Sequence, residues 1–316
     1  MSASNRITIV GSINVDLVFR TPRMPALGET ISGHQFIQVA GGKGANQAVA
    51  AARQQACVTL IGCVGNDGYG QQSLLSLQAE HINTDYIATI ADCATGVAGI
   101  FVDDHGHNSI VVAPGANAHL SVQHIEQASQ AICNAQLLIC QCETPLPSVI
   151  SAIELAHRHG VTVVFNPAPA PTNNLPDELL AKVNYLIVNE TEAGQLSGIH
   201  VSDLASATTA SEHLLQRGAG CVLLTMGAAG VCISYAVDAV IHTQHIPASK
   251  VSVVDTTAAG DTFVGAFASA IAQGLAALAA AKEAQYCAAL TVTKLGAQSA
   301  IPSKADVLRF KAESDR

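Results

Sequence analysis

The chain contains no tryptophan, and aromatic residues make up only 4% of its 316 positions. A protein that holds single-stranded nucleic acid by stacking bases on aromatic rings is therefore not expected. Charged residues are also sparse, at 12%, and their balance is acidic: 24 Asp and Glu against 15 Lys and Arg, a formal net charge of −9. That sign repels polyanions and anionic bilayers, so neither a nucleic acid nor a membrane surface is an expected partner. Long apolar runs are missing. Val111–Ala113 and Ala276–Ala281 fall far short of the roughly 20 residues of a spanning helix. Ile7–Val10, behind the polar Met1–Asn5, is too short for a signal-peptide core. No C-x-x-C pair occurs among nine scattered cysteines. Reduced thiols and a cytoplasmic location are expected, with Cys140 and Cys142 facing one side of a sheet rather than forming a metal site. Internal repeats and low-complexity tracts are absent as well.

What remains is a chain that is 49% hydrophobic, enough to bury a sizeable core. Apolar strand-like runs alternate with helical segments. Strands are expected at Arg6–Ile13, Cys57–Val64, Gln136–Gln141, Val161–Phe165, Tyr185–Val188, Cys221–Thr225 and Val231–Tyr235, with others around Tyr86, Val97–Val102 and Ile110–Ala113. Helices are expected at Lys43–Gln55, Gln71–Glu80, Ser148–Arg158 and Leu204–Arg217, and the chain closes on two Ala-rich helices near Ala259–Gln273 and Leu275–Thr293. The spacing predicts an α/β fold: a doubly wound, mostly parallel sheet with helices on both faces. Two extended pieces, Val15–Arg20 and Thr30–Val39, interrupt the first strand–helix unit. Such an excursion suits a small β lid over a ligand. One domain spanning 1–316 is expected, the lid being formed by 15–40 and the strands near 95–113.

Two loops carry chemistry. Gly41-Gly42-Lys43-Gly44-Ala45-Asn46-Gln47 opens a helix, where free N–H groups favour oxygen-rich ligands. It is not a Walker A loop, since Gly44 follows Lys43, and it is not a dinucleotide fingerprint. A plain Gly-rich turn with an exposed lysine is the alternative. In Asp255-Thr256-Thr257-Ala258-Ala259-Gly260-Asp261-Thr262-Phe263, small residues again precede a helical run. The N–H groups of Ala258 to Asp261 would form an anion hole, and Asp261 would accept a hydroxyl proton. Alternatively Asp255 or Asp261 only caps the helix. Asn189-x-x-Glu192 reads as a capped helix start, and Thr225–Gly230, T-x-G-x-x-G, as a turn. His105-x-His107 and His157-x-His159 have metal-pair spacing without partner ligands, so surface histidines are expected.

Taken together, the two loops resemble the two signature motifs of the ribokinase (PfkB) family of sugar and nucleoside kinases. Gly265, the run on to Arg53, Gly11–Asp16, Asn166–Ala170, Asn189–Ala193 and Gly296–Gln298 match in order over nearly the whole chain. The resemblance implies ATP-dependent phosphorylation of a sugar hydroxyl, with D-ribose at O5 first. The alternatives are 2-deoxyribose, another sugar or a nucleoside, or a non-catalytic sugar sensor on the same fold, against which the intact Asp261 argues. It implies sugar contacts from Asn14, Asp16, Gly42, Lys43, Gly44, Ala45, Asn46, Glu143 and Asp261. Asp261 would be the base, and Ala258, Ala259 and Gly260 the anion hole. Nucleotide contacts would come from Asn189, Thr225, Met226, Gly227, Ala228, Ala229, Gly230, Gly260, Asp261 and Gln285. Mg²⁺ with ATP would be met by Glu192 through water. A potassium ion would be held by Asp255, Thr257, Thr291, Lys294 (through its carbonyl), Gly296 and Ala300. A homodimer formed through the lids is also implied, with Val18, Ile31, Phe36 and Ile37 on an apolar outer face.

Overall fold

The computed structural model describes residues 5–172 and 175–314. Nine strands form the main sheet: β1 (Arg6–Val10), β4 (Cys57–Gly65), β5 (Asn83–Ile90), β8 (Leu137–Cys140), β9 (Thr162–Phe165), β10 (Tyr185–Asn189), β11 (Cys221–Thr225), β12 (Val231–Val237) and β13 (Val240–Ile246). Their order is β13-β12-β11-β10-β9-β8-β1-β4-β5. All neighbours from β11 to β5 run parallel, and β12 and β13 are antiparallel. The central strands are short apolar runs because both of their faces are covered. Ile7, Ile9, Leu137, Ile139 and Leu223 enter one core, with the helices Lys43–Arg53, Ala259–Ala272 and Ala277–Thr291. Val10, Leu138, Cys140, Val222 and Leu224 enter the other, under the helices Leu146–Arg158, Glu190–Ser197 and Leu204–Gln216. Cys142 packs against this second core, on the same side as Cys140. This is a doubly wound α/β fold.

β1 sits between β8 and β4, so successive connections leave it in opposite directions. In open α/β sheets a ligand crevice lies at such a switch point, outside the strand C-termini. The chain leaves β1 into a second, four-stranded sheet ordered β3-β2-β6-β7: β2 is Asn14–Thr21, β3 Gln35–Gly41, β6 Gly96–Asp103 and β7 Asn108–Ala113. It therefore stands over the C-terminal end of β1. Its faces differ from the expectation. Val18 pairs with Ile37 and shares the face of Asp16, whereas Phe36 stands on the opposite face, its ring tilted against Phe19, which stacks on Phe101. Ile31 precedes β3, which starts at Gln35 rather than Thr30.

Among the elements not anticipated are β13 and the closing helix. β13 follows β12 through a two-residue turn, Asp238-Ala239, with both residues at positive φ. Such turns are usually signalled by Asn-Gly or Asp-Gly, and alanine gives no cue. The Lys304–Ser314 helix begins at a Ser303–Asp306 cap, in which the Asp306 N–H donates to Ser303 Oγ at 3.3 Å and the Ser303 N–H to Asp306 at 3.0 Å. No helix among the described residues is long and apolar enough to cross a membrane.

Two glycines set the spacing near the crevice. A Cβ on Gly44 would lie 2.6 Å from the carbonyl carbon of Gly11 and from the nitrogen of Ser12, so the Lys43 helix abuts the end of β1. A Cβ on Gly265 would lie 2.6 Å from the Ala50 Cβ and overlap the Gln47 carbonyl oxygen. The Lys43 and Ala259 helices can therefore cross only because Gly265 is bare. Gly260, in the same helix, has open space where a Cβ would stand. Gly265→Ala is expected to lower unfolding stability by about 1–3 kcal/mol, and Gly260→Ala to leave it equal or slightly higher. Denaturant titration of the two variants checks the contrast.

Candidate active site

The site is assembled from four chain segments that converge outside β1 and β8. The loop after β1 supplies Ser12, whose hydroxyl donates to Glu143 Oε2 at 2.5 Å and accepts from the Gly44 N–H at 3.3 Å. The Lys43 N–H also donates to Glu143 Oε2, at 3.1 Å. Glu143, just beyond β8, is thereby tied to the start of the Lys43 helix. β2 presents Asn14 and Asp16, both buried, on one face. Asn117 fixes Asn14: its Nδ2 donates to Asn14 Oδ1 at 2.7 Å and to the Ile13 carbonyl at 3.1 Å, while its Oδ1 accepts from the Ile13 N–H at 2.9 Å.

Asp261 lies in the first turn of the Ala259–Ala272 helix and is nearly buried. Asn46 Nδ2 donates to its Oδ2 at 2.9 Å, and Gln47 Nε2 to its Oδ1 at 3.0 Å. Asn46 Oδ1 is buried without a hydrogen-bond partner among the described residues, an acceptor left for a ligand. At the helix start, Ala258 adopts a left-handed conformation with φ 60°. The Ala259 N–H donates to the Thr256 carbonyl at 3.3 Å, so the anion hole expected from Ala258 to Asp261 is not wholly open. The N–H groups of Gly260 and Asp261 have no acceptor within the helix.

Charge is concentrated here. Asp16 is pushed up to about 7, by burial first and then by the charges of Glu143 and Asp261. Glu192 is also raised, chiefly by burial, with Asp261 adding to it against the Asn189 N–H and Lys43. Burial opposes the Lys43 ammonium, but Asp261, Glu143 and Glu192 outweigh it and hold its pKa above the usual lysine value. Lys43 is thus one cation among carboxylates.

Two adjoining cavities meet at Gly260, and the smaller of them reaches Asp261. One, of about 250 Å³, is lined by Lys43, Asn189, Glu192, Gly260 and Asp261. Asn189 and Glu192 also form the expected reciprocal cap: the Glu192 N–H donates to Asn189 Oδ1 at 2.8 Å, and the Asn189 N–H to Glu192 Oε2 at 3.0 Å. The other cavity, of about 500 Å³, has apolar walls that include Val251, Val253, Phe263 and Ala288, with Thr225, Gly227, Ala228, Gly230 and Gln285 among its lining. Thr225, Thr256 and Gly260 line both.

Some expected contacts face elsewhere. Gly44 and Ala45 direct their N–H groups to Ser12, at 3.3 Å and 2.9 Å, and Ala45 packs into the first core. Both N–H groups thus hold the loop against the end of β1. Met226 packs into the second core, and the Ala229 carbonyl accepts from His245 Nε2 at 2.6 Å. The loops around Asp255 and Gly296 do meet. The Gly296 N–H donates to Asp255 Oδ2 at 2.9 Å, while Asp255 Oδ1 accepts from the Thr257 N–H and hydroxyl at 2.9 and 2.7 Å. Burial raises the Asp255 pKa, yet these donors prevail and it lies below the ordinary value. The Thr291 hydroxyl is turned inward to Thr262 Oγ1 and the Cys287 carbonyl, so only its backbone can face that loop. Arg53 Nη1 donates to the Gln298 and Ile301 carbonyls at 2.7 and 2.6 Å, joining the first signature helix to the C-terminal loop. His105, His107, His157 and His159 are all exposed.

Gln47, Gln141 and Asn117 were not assigned roles from the sequence. A glutamine closing a buried strand run, as Gln141 does, is an informative buried polar group. Nothing local marks Asn117, which reaches β2 from 103 residues away.

Comparison with known proteins places this geometry. Residues 4–304 match the model of the pfkB family carbohydrate kinases. The ribokinase of Haemophilus influenzae is 42% identical over 304 residues, 96% of this chain and 97% of that one. The deoxyribokinase of Salmonella typhi is 38% identical, over 94% of this chain and 95% of its own. The structure of Arabidopsis thaliana ribokinase complexed with ribose and ATP superposes with a TM-score of 0.87 at 30% identity, covering 97% of this chain and 98% of that one. With its two signature loops closing on one buried carboxylate, the chain belongs to the pfkB family of carbohydrate kinases.

Proposed function

We infer that this protein is a ribokinase, transferring the γ-phosphoryl group of ATP to O5 of D-ribose to give D-ribose 5-phosphate and ADP. The observation that carries the reading is the place of Asp261. It bonds Asn46, shares the charge environment of Asp16 and Glu143, and lines the smaller of two cavities that meet at the adjacent Gly260. Carboxylates and amides of this kind accept from and donate to sugar hydroxyls. The larger, mostly apolar cavity suits a purine, with Gln285 offering an amide at its wall. The smaller one suits the phosphates, with Lys43 supplying positive charge.

In the reaction O5 attacks the γ-phosphorus as its proton passes to Asp261. The O5–P bond forms, and the bond from the γ-phosphorus to the bridging oxygen breaks. The free N–H groups of Gly260 and Asp261 face the charge on the transferring group. Catalysis is then positioning plus electrostatics. Mg²⁺ carried with ATP neutralises phosphate charge, and Glu192 would meet it through water. A coupled assay tests the whole reading. D-ribose is expected to give a higher kcat/KM than 2-deoxyribose or adenosine, because a site built to bond a hydroxyl discriminates against its absence. Asp261→Asn is expected to lower kcat by on the order of 10² or more. Equal kcat/KM across the panel, or an unimpaired Asp261→Asn enzyme, would contradict it.

Asp16 adds a pH dependence. Its folded-state pKa is raised from 3.8 to about 7, so the neutral form favours the free fold. That contribution is full below the ordinary carboxylate value and is lost as pH rises through about 7. Asp16→Asn should therefore raise the Tm of the sugar-free protein at pH 8 and change it little near pH 4, while abolishing tight ribose binding. A Tm difference that does not grow with pH would count against this placement.

A potassium ion fits the meeting of the two C-terminal loops. The Asp255 carboxylate and the carbonyl oxygens of Thr257, Thr291, Lys294, Gly296 and Ala300 would offer hard oxygens with a single charge, which suits a large monovalent cation; the hydrogen bond that joins the Asp255 and Gly296 loops supports the reading. Ala300 offers no hydroxyl, although Ser299 is adjacent. Such an ion would set the shape of the loop that leads to Gly260. K⁺ is expected to activate well beyond Na⁺ at equal ionic strength, and full activity in potassium-free sodium buffer would exclude the role. The four-stranded sheet serves as a lid within one domain, and its exposed Phe19, Phe36, Ile110, Val111 and Val112 support a homodimer formed there. The nine free thiols support a cytoplasmic setting.

A further inference from the structure

Beyond the residues that touch substrate, a chain of buried side-chain amides ends on the base. Gln47 and Gln141 are wholly buried, and Asn166 nearly so. Asn166 Nδ2 donates to the Ile187 carbonyl in β10 at 2.8 Å, which turns Asn166 Oδ1 toward Gln47. Gln47 Nε2 donates to that oxygen at 3.1 Å and to Asp261 Oδ1 at 3.0 Å. Gln47 Oε1 accepts from Gln141 Nε2 at 2.7 Å. Both donors of the Gln47 amide and one lone pair of its oxygen are thus used, and in one orientation only. Reversing it would set Gln47 Oε1 against two oxygens and Nε2 against the Gln141 donor. Gln141 Oε1 has no hydrogen-bond partner and lies beside Gly11, so Gln141 engages the chain only through its Nε2.

We propose that Gln47, held in orientation by Gln141 and Asn166, is the positioning residue that aims the Asp261 carboxylate at the sugar hydroxyl. This rests on the assignment of Asp261 as the base. Asp261 faces three further carboxylates, Asp16 from β2, Glu143 from beyond β8 and Glu192 from the Glu190–Ser197 helix, and one cation, Lys43. An unheld carboxylate there would rotate away from its neighbours and toward Lys43. The Gln47 and Asn46 donors fix both of its oxygens, leaving one lone pair on each for the incoming proton. The amide chain also ties the base to the sugar side, because Gln141 stands two residues before Glu143.

The test is a pair of near-isosteric variants and their combination, assayed with D-ribose and Mg·ATP and checked by thermal unfolding. Gln47→Met should lower kcat by on the order of 10-fold, with the KM values for ribose and ATP changed by less than about threefold. Gln141→Met, which does not touch Asp261, should lower kcat in the same direction by a smaller factor. In the Gln47→Met background, Gln141→Met should add nothing further, since its effect passes through Gln47. Multiplicative losses in the double variant, or a rise in ribose KM in place of the fall in kcat, would overturn the positioning role. If Gln47→Met does not fold, Gln141→Met alone decides, because an unchanged kcat there refutes the relay. A wild-type protein inactive on D-ribose would instead remove the reading of the site as a whole, so the two failures are distinguishable.

Discussion

The site depends on how closely two helices can cross. Asp261 belongs to the Ala259–Ala272 helix, and its hydrogen-bond donors, Asn46 and Gln47, belong to the Lys43–Arg53 helix. The two meet at Gly265, where a single added carbon would overlap the opposite backbone. Four residues along from Gly265, one helical turn toward the N-terminus, lies Asp261. The crossing distance thus becomes the hydrogen-bonding distance between Asp261 and its donors. Gly44 does the same at the other end, letting the Lys43 helix press against the end of β1. Small residues at these places are the condition for a carboxylate to be buried and still fully bonded.

That burial brings an electrostatic problem. Asp16, Glu143, Glu192 and Asp261 converge, and like charges in a low-dielectric crevice repel. The fold answers unevenly. Asp261 receives two side-chain amide donors, and Glu143 receives the Ser12 hydroxyl and the Lys43 N–H. Asp16 has no comparable set and is the one pushed up to about 7. The weakest-held carboxylate is the one that sugar hydroxyls would complete. Lys43 offsets part of the charge and holds the phosphate side open to an anion.

Much of this was legible in the chain because it is local. Glycines before a helix, an Asp in a first turn, and short apolar runs at strand spacing each leave a mark within a few residues. The excursion between β1 and the Lys43 helix was visible for the same reason. The Asp238-Ala239 turn was not, since its left-handed backbone sits on residues that carry no turn signal. The faces of the second sheet were misjudged because they depend on register: Val18 and Phe36 are both apolar, but their pairing partners put them on opposite sides. Gln141 and Asn117 were missed for a different reason. Their partners lie 94 and 103 residues away, and only the folded sheet brings them together.

The division between what is local and what is not follows the division of labour in the site. Groups that meet substrate come from loop and helix starts, where backbone N–H groups are free and short motifs can place a side chain. The amides that bond them are buried in the interior, where every polar atom must find a fixed partner or remain costly. Asn166 bonds a strand carbonyl, Asn117 bonds both the N–H and the carbonyl of Ile13, and Gln47 lies between the two kinds of element. A flexible loop residue can bring a carboxylate to a hydroxyl, but it cannot by itself decide which oxygen points where. In this chain the Asp261 carboxylate is held by amides that are themselves hydrogen-bonded to backbone or to one another, so that on the proposed reading the rigidity of the parallel sheet would reach the reacting atoms through them.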